Sequence, residues 1–392
     1  MQRIYLDHNA TTPLAPEALA AMLPFLSGGY EGRFGNPSSI HAAGRDALAG
    51  VDDARYRLAA VLGANPRELI FTGGGTEADN LAVIGLSRAR VRAGAARHVI
   101  TSQIEHHAVL HAVDFLEQKE GFRTTRLPVD SRGIVDPEAL RRALTEAAAL
   151  VSIHSANNET GTIQPVRELA TLCRAQGVPF HSDMVQSFGK EPVRVDGPDA
   201  PDALSLAAHK FYGPKGVGVL WVRPGLMPDP ILFGGAQESG RRPGTESPAL
   251  LAGMATAAKL AADALSTEAA RLAPLRDRLW EGLAALFPAA VRNGAWETPA
   301  LQLANTLNVS FPGLDGETLL IHCDLAGVCV SSGSACMAGS PQPSHVLLAM
   351  GRPVELAEAS VRFSLGKGTS GAEIDESLER LARIFARVQR IK

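Results

Sequence analysis

One thiol in this sequence, Cys336, sits in "SSGSACMAGS", residues 331–340, among small residues that show neither helical nor strand periodicity. A cysteine there lacks the apolar wall that usually buries one. A thiolate on a Ser/Gly/Ala tether can reach a target, attack it and withdraw, which an ordinary surface cysteine, the alternative, has no need to do. Lys210 in "ALSLAAHKFYGPKGVG" follows a short apolar run and precedes a Gly/Pro turn. An amine held in a partly apolar site loses enough basicity to act as a nucleophile and form a Schiff base. Lys215, in the turn itself, is the competitor, and a turn lysine is normally solvated.

Three other stretches could assist. In "VPFHSDMVQSFGK", Asp183 falls where an apolar strand runs out, so its carboxylate needs a partner such as a protonated ring nitrogen, or else it caps a helix. Gln186, three residues on, could reach the same ring. In "LIFTGGGTEADN", glycines and Thr76 lie between a strand and a helix. Exposed backbone N–H groups there can cup a phosphate, with a plain glycine turn as the alternative. In "TSQIEHHAVLH", His107 and His111 are spaced i, i+4 beside Glu105 and His106, as a metal site could be, but the HExxH order is missing and a third ligand is not evident.

The elements that must position these side chains are legible as a rhythm. Short runs "ELIFT", "RHVIT", "FRTTRL", "ALVSIH", "VPFHSD", "ALSL" and "VGVLWV" alternate with helical patterns over Glu77–Arg92, His107–Glu117, Pro137–Ala147 and Val166–Ala175. This predicts an α/β fold whose mostly parallel sheet is covered by helices on both faces, with ligands bound beyond the carboxyl ends of the strands. A long helix from about Pro248 to Phe287 leads to a smaller α+β unit containing the strand "LQLANTLNVSF" and a last helix over Gly371–Ile391. The expected division is 16–255 for the large domain and 256–392, with 1–15, for the small one. Cys173 and Cys323 fall in helical patterns and Cys329 in "GVCV", positions suited to small buried hydrophobes.

The charged residues, 38 basic and 41 acidic for a net −3, generate no field that would gather nucleic acid or an anionic membrane. The start "MQRIYLDHNATTP" lacks a signal-peptide pattern, and "ALAAMLPFL" is too short to span a bilayer. The chain reads as soluble and cytoplasmic.

Together "YLDHNATTP", "GNPSSIHAAG", "FTGGGTEADN", "EHHAVL", "ANNETGTIQPV", "HSDMVQSFGK", "AHKFYGPKGVG", "RRPGT", "SSGSAC" and "VRFSLG" resemble the group I cysteine desulfurases, the nitrogen-fixation and iron–sulfur-cluster type. These belong to the class V aminotransferase family, with the aminotransferase-like fold type I of pyridoxal phosphate enzymes. The resemblance implies that Lys210 binds pyridoxal 5'-phosphate covalently, Asp183 pairs with its ring nitrogen, His106 stacks on the ring and Gln186 bonds its phenolic oxygen. It also implies that Gly75, Thr76 and His209 hold the phosphate, that Asn158 and Arg362 take the substrate carboxylate, and that Thr245 reaches the phosphate of a neighbouring subunit in a homodimer. L-Cysteine would give L-alanine and a persulfide on Cys336, with Lys210 moving the proton and His106 assisting, for delivery to an iron–sulfur scaffold or another sulfur carrier protein. One departure is Ala207, where many relatives have a serine that contacts the phosphate. Loss of one hydrogen bond, about 1 kcal/mol, weakens cofactor binding without abolishing it. A selenocysteine lyase, a small-amino-acid aminotransferase or a non-catalytic partner-binding relative are the rival readings.

Overall fold

The computed structural model describes residues 3–145, 147–332 and 343–388. Strand β1 (Ile4–Tyr5) precedes seven strands that form one sheet: β2 (Leu69–Thr72), β3 (His98–Ser102), β4 (Arg123–Leu127), β5 (Leu150–Ser152), β6 (Phe180–Asp183), β7 (Ala203–Ala207) and β8 (Gly218–Val222). Their order is β2-β8-β7-β6-β5-β3-β4. The run β7-β6-β5-β3-β4 is parallel, and β8 pairs antiparallel with both β7 and β2. All seven coincide with the short runs; six are buried throughout, since a strand covered on both faces needs no polar alternation, while the edge strand β4 is only partly buried.

The helices differ from expectation in their ends. The one over Pro137–Ala143 stops early, since Ala148 and Ala149 are buried and the Ala149 N–H already donates to the His98 carbonyl at β3. The stretch after β2 begins at Gly75, widens to π geometry over Leu81–Leu86 and ends at Arg92.

A second, three-stranded antiparallel sheet joins β9 (Val291–Asn293), β10 (Thr306–Ser310) and β12 (Ser360–Ser364), while β1 pairs in parallel with β11 (Val328–Cys329). Apolar cores pack against both sheets. One of those on the large sheet gathers Leu58, Leu206 and Met254, and the core of the small sheet packs Phe311, Phe363 and Leu381. The Pro248–Leu286 helix serves both: Leu251, Met254 and Ala258 enter the first core, and Leu272, Leu279 and Leu283 enter the second. By length and composition it could span a bilayer, but its apolar residues are engaged in these cores. Cys173 and Cys323 are fully buried, which raises both thiols, Cys323 to about 12.

Candidate active site

The carboxyl ends of the parallel strands open into a cavity of about 390 Å³, lined among others by Gly75, Thr76, His106, Asn158, Asp183, Gln186, His209, Lys210 and Arg362. Lys210 closes the short turn after β7 and donates from Nζ to the carbonyls of Asn9 (2.7 Å) and Ala10 (2.9 Å). The turn is rigid beyond it. Tyr212 sits at φ +66°, fixed by a bond from its N–H to Thr12 Oγ1 and by its hydroxyl accepting from the Lys367 N–H. Lys215 is exposed and outside the cavity, so the competition between the two lysines resolves to Lys210.

Asp183 ends β6, is 7% exposed, and accepts from the Val185 N–H at 2.9 Å. Burial raises its carboxyl to about 6 against the opposing pull of that bond and of His154. Val185 and Ala207 also shape the wall: a Cβ on Gly75 would come 2.9 Å from a Val185 methyl and 3.2 Å from Ala207 Cβ. Gly74, at φ +155° and ψ −178°, occupies a region that is almost exclusively glycine's and turns the chain from β2 into the helix. A closely approached backbone and a helix start therefore face the cavity together, as an anion requires.

His106 caps the His107–Glu120 helix, with Nδ1 accepting from the Ala108 N–H at 3.1 Å, so the ring proton resides on Nε2. Burial, then the charge of Lys210, lowers it to about 4, and it is neutral at physiological pH. His209 Nδ1 contacts Thr11 Oγ1, and burial likewise lowers it to about 4. The His107 ring lies tilted against those of His111 and His345, with centroids 5.2 and 4.8 Å away. Among the described residues no three His, Cys, Asp or Glu side chains converge on a common metal position.

Arg362 projects from β12 of the small sheet and is 2% exposed. One Nη donates to Asp7 Oδ1 (2.7 Å), the other to the Asn158 carbonyl (3.1 Å), and Nε has no partner. Gln186 donates to the Asn9 carbonyl at 2.9 Å and accepts from Lys190 Nζ at 2.7 Å. Thr245 is exposed and lies outside the cavity, and Cys336 lies outside the described residues.

Sequence reasoning missed several participants. Asn9 is the hub: its carbonyl receives Lys210 and Gln186, its Oδ1 receives Lys190 and Asn305, and its Nδ2 donates to Asn158 and Thr306. It reaches Lys210 and Gln186 through its backbone carbonyl, and only the polar density of "DHNATT" hints at it. Asp79 and His154 also line the cavity, and both are buried.

The profile of a known family, aminotransferase class-V, matches residues 4–376. A curated relative, the cysteine desulfurase IscS of Dictyoglomus turgidum, is 45% identical over 390 residues, covering 100% of this chain and 96% of its own. Among solved structures, a NifS-like protein superimposes with a TM-score of 0.89 at 36% identity, covering 98% of this chain and 100% of that one. SspA in complex with cysteine superimposes with a TM-score of 0.78 at 35% identity, covering 92% and 98%.

Proposed function

Because this chain belongs to the class-V aminotransferase family, and within it to the cysteine desulfurases, we infer that it removes sulfur from L-cysteine with pyridoxal phosphate held on Lys210, giving L-alanine and a persulfide on Cys336. The observation that carries the reading is the convergence of Lys210, Asp183, His106 and Arg362 on one cavity. That cavity suits the cofactor: an amine for its aldehyde, a buried carboxylate for its ring nitrogen, and at Gly75 a surface that one added methyl would close.

Bound there, pyridoxal phosphate supplies a sink for the electron pair left when the Cα–H bond of the amino acid breaks. Asn158 and the guanidinium of Arg362 orient the substrate carboxylate. Lys210 Nζ carries the Cα proton. His106, neutral and protonated on Nε2, would lie over the cofactor ring, where its Nε2–H can donate a hydrogen bond and assist proton transfer. The Cys336 thiolate attacks the substrate sulfur: a S–S bond forms as the Cβ–S bond breaks, and Cβ gains the proton that makes it the methyl of alanine. L-Cysteine and one thiol thus give L-alanine and one persulfide, with no external oxidant.

On the same reading residues 16–255 hold the cofactor, and 256–392 with 1–15 carry Cys336. The enzyme works in the reducing cytoplasm as a homodimer, in which exposed Thr245 reaches the partner's phosphate, and it hands sulfur to an iron–sulfur scaffold or another carrier protein. The test is incubation with L-cysteine, quantification of alanine and mass spectrometry of the Cys336 peptide. Alanine with one added sulfur on that peptide is expected. Alanine formed at the parental rate by Cys336→Ala, or a cofactor absorbance band that survives in Lys210→Ala, overturns the assignment.

A further inference from the structure

Three neighbouring strands, in the order β6-β5-β3, bring three ionisable side chains together beneath the cavity, two of them, Asp183 and His154, at its wall. Asp183 ends β6, His154 lies two residues past β5, and Glu105 lies three past β3. The register is tight. The Ser155 N–H donates to the Asp183 carbonyl at 2.9 Å, and the His154 N–H donates to Glu105 Oε2 at 2.8 Å. The His154 ring then sets Nδ1 3.2 Å from the same oxygen, while Ser102 Oγ donates to the other. His154 is 3% exposed and lines the cavity, and its Nε2 has no hydrogen-bond partner. A buried imidazole nitrogen without a partner is costly, and here it lies at the wall of a binding cavity.

We propose that His154, held by Glu105 and set at the cavity wall beside the end of β6, is a positioning residue for Asp183 that keeps its carboxylate ready for a protonated ring nitrogen. The proposal rests on pyridoxal phosphate occupying the cavity as inferred above. Burial alone would discharge His154, but the charge and hydrogen bond of Glu105, with the charge of Asp183, outweigh it and lift the imidazole above its ordinary range. Reciprocally, His154 opposes the burial that raises Asp183. The other groups around His154 do not substitute for it. His106 and His345 are both lowered, chiefly by burial, and Asp79 is raised well above its ordinary range by burial and by the charge of Asp183. Lys210 also lowers Asp183, but that amine is consumed in holding the cofactor.

The experiment measures equilibrium affinity of the full-length chain for pyridoxal phosphate from about pH 5 to about pH 8, in the parent, His154→Gln and Glu105→Gln. The cofactor's own ionisations are common to all three. Loss of one adjacent cation moves the acid-side midpoint of binding up by about one pH unit, a roughly tenfold weaker affinity within that window, in His154→Gln. Glu105→Gln removes both the anion that supports charge on His154 and that anion's own upward push on Asp183, so its shift is smaller than that of His154→Gln. Independently, ¹⁵N NMR of the parent, assigned against His154→Gln, should find His154 titrating above the ordinary imidazole range. Superimposable binding curves for parent and His154→Gln, or a His154 that titrates below the ordinary imidazole range, overturn the inference while leaving the cofactor site intact. A parent that binds no pyridoxal phosphate overturns the site itself.

Discussion

Ala207 ends β7 with its Cβ against the gap that Gly75 leaves in the cavity wall, 3.2 Å from where a Gly75 Cβ would stand. A hydroxyl at this position would point along the same wall toward an anion cupped by Gly75 and Thr76. Ala207→Ser is therefore expected to tighten pyridoxal phosphate binding by about 1 kcal/mol, roughly fivefold in Kd, as read by fluorescence titration. An unchanged Kd would mean that the phosphate sits elsewhere. Residues such as Lys210, Asp183 and Arg362 were legible in the sequence because each is a charged side chain set against apolar runs or within a recognised motif. Asn9 was not, because it serves Lys210 and Gln186 through a backbone carbonyl that any residue possesses. His154 was equally hidden. In "SIHS" nothing distinguishes an imidazole facing a cavity from one facing the core, and only the register of β5 against β6 decides it.

At the scale of elements, β5, β6 and β7 are tied beneath the cavity by His181, whose Nδ1 meets Ser152 Oγ and Nε2 meets Ser205 Oγ, both at 2.9 Å. Asp79 Oδ1 lies 3.8 Å from Nε2, and burial opposes the charged form of both groups. Burial lowers His181 from its ordinary 6.5 to about 3. Between those values the unfolded chain binds a proton there that the folded chain refuses, so this residue's contribution to stability is lost as pH falls through the interval. His181→Gln should cost about 1–3 kcal/mol at neutral pH by loss of bonded groups. Its stability in urea should nonetheless fall less steeply than the parent's as the solution is acidified, and an unchanged slope would refute the argument. The long helix invites a second test. Leu279 is fully buried in the small-sheet core, so Leu279→Ala should cost about 2–5 kcal/mol, read from the urea midpoint. The strands were legible because two-sided burial writes itself as short apolar runs. The antiparallel setting of β8 was not, because strand direction is fixed by the Gly/Pro turn after Lys210 and leaves no trace in hydrophobicity.

For the whole molecule, the cavity draws on both sheets: Lys210, Asp183 and Gly75 come from the large one, Arg362 from the small one, and the N-terminal turn around Asn9 joins them. Thr245, exposed and outside this cavity, contributes only if a second copy presents it, which makes the homodimer testable by complementation. Removing its hydroxyl from a bound phosphate should weaken cofactor affinity by about 1.5–3 kcal/mol, so Thr245→Ala is largely empty at limiting cofactor. Lys210→Ala lacks the covalent attachment altogether. In a mixed dimer of the two variants, one site carries both substitutions and the other carries neither, because its lysine and its threonine come from different chains. Mixing equal amounts under conditions of subunit exchange should therefore restore about a quarter of parental sites, seen as recovered cofactor absorbance and alanine production from L-cysteine. If Thr245 served its own chain, each site in the mixed dimer would carry one defect and nothing would return. Recovery absent despite demonstrated exchange would assign the phosphate contact to a single subunit and remove the reason for the dimer to share its sites.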